Sequence, residues 1–175
     1  MLETSALPSG LFIGVLVVQR LSELLIARRN TARLMARGAR EIGARHYPAM
    51  VALHASWLLA IALLGWGEPV LWPWLAPYVV LQGLRVWILT TLGSRWTTRI
   101  IVLDEPLVAR GPYRYVNHPN YWLVVAEIVV APMVLGLWSV AIVWSVLNAL
   151  MLWWRIGVEN EALGLGRSPR PARTP

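Results

Sequence analysis

The sequence contains neither cysteine nor lysine, and both absences limit what the protein can do. Without cysteine there is no disulfide, no thiolate zinc site and no cysteine nucleophile. All sixteen basic residues are arginines, and they outnumber the nine acidic residues to give a formal net charge of +7. Because the arginines flank apolar runs, we attribute them to membrane topology and anionic lipid headgroups, and we expect no nucleic-acid partner.

Charged residues of either sign are scarce, since they make up 14% of the chain against 57% for hydrophobic residues. The mean hydropathy is +0.55, which is too apolar for an ordinary soluble domain and indicates a polytopic membrane protein. The N-terminus lacks a basic n-region, and its apolar run contains Gln19, Arg20 and Glu23. We therefore expect a retained helix there and not a cleaved signal peptide.

Five apolar segments are candidates for membrane-spanning helices: residues 11–27, 48–66, 70–92, 119–135 and 138–155. The last of them would rise about 27 Å, close to the thickness of the hydrocarbon core. The polar connector 94–117 contains two apolar stretches, 99–103 and 106–109, which we expect to form a small hairpin. The sequence predicts one all-α integral membrane domain over 1–163 and a disordered tail at 164–175.

The distribution of arginine predicts the orientation of the chain. The loops after the first and third spans and the C-terminal tail hold nearly all arginines, whereas the turns near Glu68 and Gly136 hold none. Because arginine-rich loops stay in the cytoplasm, we expect an external N-terminus and a cytoplasmic C-terminus. Arginine- and alanine-rich usage suggests a high-GC bacterium, so the membrane would be the bacterial inner membrane.

Polar side chains within the predicted spans lie at one depth. Counting 1.5 Å per residue from the cytoplasmic ends places eight of them roughly 7–14 Å deep: Gln19, Arg20, Glu23, His54, Gln82, Arg85, Glu127 and Asn148. A charge at this depth costs about 3 kcal/mol or more unless it is paired or hydrated. We predict that Arg20, Glu23 or Arg85 pairs with Glu127. So many ionisable groups at one level favour a polar cavity that opens to the cytoplasm, and the alternative is a hydrogen-bonded layer that determines helix packing.

The polar and aromatic stretch 111–122 leads directly into the fourth span. Pro119 suits the first position of a helix, because its missing N–H would be unpaired there, and His118 then becomes the N-cap. The free N–H groups of such a helix start attract anionic groups. Arg155 and Glu159 lie four residues apart on one face of the fifth helix. The tight turn at Gly136 makes the two spans antiparallel neighbours, so their cytoplasmic ends should meet around one site.

Several common binding motifs are missing: the chain has no G-x-G-x-x-G, no P-loop and no H-E-x-x-H. Its three histidines, His46, His54 and His118, are spread over three segments without metal-ligand spacing, so we expect no metal. The remaining rings, arginines, glutamates and helix N-terminus suit a ligand with a carboxylate, an ammonium group and a soft cation. S-adenosylmethionine carries these groups.

The motif Gly-Pro-Tyr-Arg-x-x-x-His-Pro-x-Tyr at 111–121 precedes an apolar hairpin and then Arg-Ile-x-x-Glu at 155–159. This arrangement resembles the isoprenylcysteine carboxyl methyltransferase family of integral membrane methyltransferases. The N-terminal Arg20-Leu-x-Glu23, Ala27-Arg-Arg-Asn30 and His46-Tyr47 resemble its short bacterial branch. The resemblance implies a cofactor cleft for S-adenosylmethionine, formed by the cytoplasmic connector, the helix start at His118 and the C-terminal segment. A lipophilic acceptor would enter from the membrane.

The resemblance also implies roles for particular residues. Cofactor contacts are expected at Tyr113, His118, Pro119, Tyr121 and Glu159. Catalytic roles are expected for His118, Arg155 and Glu159. Candidate acceptor contacts are Arg114, Trp96, His54 and Arg85. A carboxylate acceptor needs no base, whereas for a phenol or enol the candidate bases are His118, Glu159 and Glu127.

Together these observations predict S-adenosylmethionine-dependent O-methylation of a lipophilic acceptor at the cytoplasmic membrane face. The methylated group would be a carboxyl, phenol or enol of a prenylated or polyketide-type lipid. Two alternatives stay open. One is N-methylation of a phospholipid amine, and the other is a non-catalytic protein that binds membrane lipids.

Overall fold

The protein is an all-α bundle in the computed structural model, as predicted. The backbone is described for residues 2–106, 108–116 and 118–162, and the side chains for 6–106, 108–116 and 118–158. Five helices follow one another along the chain: α1 (Leu2–Ala36), α2 (Tyr47–Gly65), α3 (Trp72–Leu92), α4 (Pro119–Met133) and α5 (Trp138–Ala162). The tail 164–175 lies outside the described residues, so the expected division at residue 163 stays a prediction.

Four helices, α1, α2, α3 and α5, are long and apolar enough to cross a membrane, judged by length and composition. The fourth predicted span is shorter, because α4 has 15 residues and rises about 22 Å. Pro132 lies in its last turn, and the chain then turns through Val134 and Leu135, both of which are buried. Since α4 packs between α3 and α5, it forms the centre of the bundle.

Helix α1 continues beyond its predicted span without a break. The sequence predicts a span over 11–27 followed by a basic loop or surface helix, and α1 extends as one helix to Ala36. Ala27, Asn30 and Leu34 are buried at helical spacing, so one face of this extension packs against the bundle. The extension therefore carries its arginines on the remaining surface.

A two-stranded antiparallel sheet joins the end of α1 to the connector. Strand β1 (Arg40–Ile42) pairs with β2 (Ile100–Val102), with Glu41 opposite Ile101. The hairpin that we expected between 99–103 and 106–109 is therefore wrong. The apolar pattern identified β2 as extended, but a local pattern contains no information about a pairing partner sixty residues earlier.

Charged side chains of three helices form a closed layer inside the bundle. Arg20 donates to Glu127 at 2.7 Å, and Arg85 donates its Nε to the same carboxylate at 2.8 Å and makes a second contact through Nη2. Glu23 accepts from both arginines at 3.0 Å. The predicted pairing with Glu127 is therefore confirmed, and it links α1, α3 and α4.

Neighbouring amides complete this layer. Gln82 donates to Glu127 at 3.2 Å, Gln19 donates to Glu23 at 3.0 Å, and the Tyr78 hydroxyl donates to Gln19 at 3.1 Å. The side chains of Glu127 and Arg85 are only 2% and 5% exposed. For these residues the structure supports the alternative, the hydrogen-bonded layer, and not the polar cavity that we expected at this depth. The cavity lies elsewhere, at one end of the bundle.

Candidate functional site

A cavity of about 390 Å³ lies where the start of α4, the end of α5, β2 and the connector converge. Five of the predicted site residues line it: Trp96, Tyr113, His118, Tyr121 and Arg155. The ends of α4 and α5 that lie away from Gly136 were expected to meet, because the turn at Gly136 is tight. The structure brings them together in this way.

The start of α4 presents two stacked rings to the cavity. Pro119 is the first residue of α4 and His118 is the N-cap, as the sequence predicts. The backbone N–H of Tyr121 donates to the His118 carbonyl at 3.1 Å. The imidazole does not cap the helix; it stacks on the Tyr121 ring, with centroids 5.2 Å apart and an interplanar angle of 14°. Pro119 is itself buried and is not a cavity-lining residue.

Arg155 brings a buried positive charge to the cavity. Its side chain comes from α5, and the residue is 6% exposed. Nε donates to the Tyr121 hydroxyl at 2.8 Å, Nη2 donates to the Thr98 carbonyl at 2.9 Å, and Nη1 faces the Met50 sulfur at 2.9 Å. A thioether is a weak acceptor. Among the described side chains no carboxylate pairs with Arg155, so this guanidinium is suited to an anionic ligand group.

One wall of the cavity is held in place by Asn30 of α1. Its amide nitrogen donates to the Gly93 carbonyl at 3.1 Å and to the Trp96 carbonyl at 2.9 Å, and Asn30 is 5% exposed. Two bonds from one buried amide fix the segment that carries Trp96 against α1. Nothing in the local sequence around Asn30 indicates this role, because both acceptors lie more than sixty residues away.

Ion pairs at the surface hold the sheet and the connector in place beside the cavity. Arg99 donates to Glu41 at 2.6 Å across the sheet and lies over the Tyr47 ring, with Cζ 4.0 Å from the centroid. Glu105 pairs with both Arg37 and Arg95. Arg95, Arg99 and Glu105 all line the cavity, so it is bordered by charges of both signs.

Gly111 places Tyr113 against α3. Its φ of +56° is favourable only for glycine, and a Cβ there would lie 2.6 Å from Thr91 Oγ1. The 3₁₀ turn Gly111–Arg114 can therefore approach the end of α3 closely, which directs Tyr113 into the cavity. The motif that begins with Gly-Pro-Tyr thus has a steric reason for its glycine.

Other predicted site residues lie outside this cavity. Arg114 is exposed, Arg85 belongs to the ion layer, and His54 points its Nδ1 at the Met50 carbonyl, 2.9 Å away. Their contacts with the acceptor stay predictions. Glu159 lies on α5, but its side chain is outside the described residues, so its roles also stay predictions. Sequence reasoning missed several lining residues. Leu34, Thr97 and Arg99 have no motif around them, and Asn120 is the variable position of the His-Pro-x-Tyr motif.

Comparison with known proteins gives two matches. The model of a family described as the isoprenylcysteine carboxyl methyltransferase (ICMT) family matches residues 74–164, slightly more than half of the 175-residue chain. The uncharacterized protein YpbQ of Bacillus subtilis (strain 168) is 36% identical over 160 residues, which cover 87% of this chain and 95% of the relative. No solved structure matches. The family match includes the start of α4 and Arg155.

Proposed function

Because this chain belongs to the ICMT family of membrane methyltransferases, we propose that it methylates an oxygen atom of a lipophilic acceptor. Members of this family generally use S-adenosylmethionine and act on membrane-associated substrates. The proposed acceptor group is a carboxyl, phenol or enol of a prenylated or polyketide-type lipid. The observation that carries this proposal is the buried Arg155, because a buried guanidinium that pairs with none of the described carboxylates can stabilise an oxyanion.

The residues that line the cavity fit the chemistry of S-adenosylmethionine. The stacked rings of His118 and Tyr121 would attract its sulfonium. The N-terminus of α4, where Asn120 lines the cavity, and the cavity guanidinium groups suit its carboxylate, and Glu105 suits its ammonium group. The volume of about 390 Å³ lies within the usual range for small-molecule sites.

The chain's own contribution is to orient the acceptor and exclude water. Bound S-adenosylmethionine supplies an electrophilic methyl group on sulfur. Arg155 holds an acceptor oxyanion beside the Tyr121 ring, and alignment of the two reacting atoms accounts for much of the catalysis in such a displacement. A carboxylate or enolate is already ionised, and for a phenol His118 is the base within the cavity.

The positive charge of Arg155 disfavours a phospholipid amine as the acceptor, because the amine would have to react in its neutral form.

Cofactor binding tests this proposal directly. We expect calorimetry on the detergent-purified protein to show binding of S-adenosylmethionine. His118→Ala and Glu159→Ala should each weaken binding about tenfold or more, which is the effect of losing a hydrogen bond to a charged group. Tyr115→Ala is the matched control and should bind normally, because Tyr115 is 76% exposed and lies outside the cavity lining.

Two other outcomes would change the proposal in different ways. Normal binding by both alanine variants, together with loss of methyl transfer, would move His118 and Glu159 from the cofactor to the acceptor. Absence of binding by the wild-type protein would contradict methyl transfer and favour a non-catalytic lipid-binding protein.

The cavity is also proposed to face the cytoplasm of a bacterium, with the N-terminus outside the inner membrane. The arginines at the cavity end of the bundle support this orientation, since arginine-rich segments remain inside. Reporter fusions after Gly67 should give an external signal, and fusions at Pro175 should give a cytoplasmic signal. The reverse pattern would place the cavity outside the cell, where S-adenosylmethionine is not made.

A further inference from the structure

The last turns of α1 carry three exposed arginines, Arg28, Arg29 and Arg33. They face away from the buried side of this helix, which is formed by Ala27 and Asn30 together with Leu34. None of the three forms an ion pair with a described carboxylate. We call these three residues the α1 arginine ridge.

Apart from the exposed Asp104, which forms no ion pair with a described arginine, the carboxylates nearest this end of the bundle are already engaged by other arginines. Glu41 pairs with Arg99, and Glu105 pairs with Arg37 and Arg95. Glu23 and Glu127 are buried in the ion layer. The positive charge of the ridge is therefore not neutralised within the described part of the chain, and it is available to anions outside the protein.

The ridge lies at the depth of lipid headgroups. The preceding residues Leu21, Leu25 and Ile26 are apolar and exposed, as expected for side chains that face acyl chains. From Arg28 to Arg33 the helix rises about 8 Å, similar to the thickness of one headgroup layer. Exposed tryptophans at the same end of the bundle, Trp122 on α4 and Trp153 on α5, are typical of the membrane interface.

We propose that the α1 arginine ridge binds the phosphate groups of anionic phospholipids in the leaflet around the cavity. Guanidinium groups bind phosphate oxygens in a bidentate manner, which ammonium groups cannot do. A membrane surface is favoured over a soluble polyanion because the ridge continues directly from the lipid-facing apolar surface of α1. Leu34, in the same turn of α1 but on its buried face, lines the cavity. This proposal does not depend on the proposed methyl transfer.

Lipid retention measures this interaction. The full-length protein is purified in neutral detergent with equal amounts of phosphatidylglycerol and phosphatidylcholine, and co-purifying lipid is quantified by mass spectrometry. The wild-type protein should retain phosphatidylglycerol about tenfold more than phosphatidylcholine, and 0.5 M salt, roughly three times physiological ionic strength, should reduce this preference. The triple variant Arg28→Gln/Arg29→Gln/Arg33→Gln should lose most of it, because it removes the three positive charges that attract an anionic surface.

A charge-retaining variant separates electrostatics from folding. Arg28→Lys/Arg29→Lys/Arg33→Lys should keep part of the preference for phosphatidylglycerol. If the glutamine variant does not fold, this lysine variant and the salt titration of the wild-type protein still test whether charge causes the preference. Equal retention of both lipids by the wild-type protein would overturn the proposal. The same conclusion would follow if the glutamine variant folded and kept the preference, or if a labelled oligonucleotide bound the ridge while phosphatidylglycerol showed no enrichment.

Discussion

Glu127→Leu will lower the free energy of unfolding by about 3–5 kcal/mol, the cost of removing one partner from a buried ion pair. Glu127 accepts from Arg20 and Arg85, and only Glu23 would remain to neutralise both arginines. The residue is 1% exposed, so water cannot take its place. In thermal unfolding of the detergent-solubilised protein, this loss should lower the midpoint by about 10 °C or more.

A charge-balanced double variant tests the cause of this loss. In Arg85→Met/Glu127→Leu the remaining charges are Arg20 and Glu23, which are 3.0 Å apart and still form a pair. Apolar replacement of a buried pair is often neutral, so the double variant should recover most of the lost stability. Glu68→Gln is the control, because Glu68 is an exposed carboxylate in the turn between α2 and α3. Equal stability of the single and double variants would show that Glu127 acts through packing and not through charge.

The double variant also tests the expected acceptor contact at Arg85. If Arg85 serves only the ion layer, the recovered protein should regain methyl transfer. A stable but inactive double variant would support either the predicted contact between Arg85 and the acceptor or the predicted role of Glu127 as a base.

Arg155→Gln will reduce methyl transfer by about tenfold to a hundredfold, the range for a hydrogen bond to a charged group. The amide of glutamine can replace one donor, but it cannot supply the charge or contact Tyr121, Thr98 and Met50 together. Arg155→Lys keeps the charge without the planar fork and should give an intermediate rate. The measurement is incorporation of the label from methyl-labelled methionine into lipids of a deletion strain that expresses each variant.

The control for Arg155 is Arg45→Gln, which removes an exposed arginine outside the cavity lining and should leave incorporation unchanged. Calorimetry with S-adenosylmethionine then assigns the defect. Normal cofactor binding by Arg155→Gln with reduced labelling would indicate that Arg155 holds the acceptor. Weakened cofactor binding would place its guanidinium on the cofactor's carboxylate instead. Unchanged labelling would contradict a functional role for the buried charge.

Local sequence was sufficient for features that depend on neighbouring residues or on helical rise. Pro119 identified the first residue of α4, because proline is suited to a position whose N–H would be unpaired. Equal depth in the membrane grouped Glu127 with Arg20, Glu23 and Arg85 as candidate partners, because charges at such depth must be paired or hydrated, and the structure shows both arginines on Glu127. The tight turn at Gly136 was enough to bring the ends of α4 and α5 together.

Contacts between distant segments were decided only by the tertiary structure. Strand β2 pairs with β1, and Asn30 holds the Trp96 segment, although no local pattern connects these residues. The layer around Glu127 is closed and the cavity lies at the end of the bundle, a choice that membrane depth alone leaves open. The physical reason is that composition and periodicity determine which residues are buried and at what depth in the membrane. Which side chains contact one another at that depth depends on how the helices are arranged around one another.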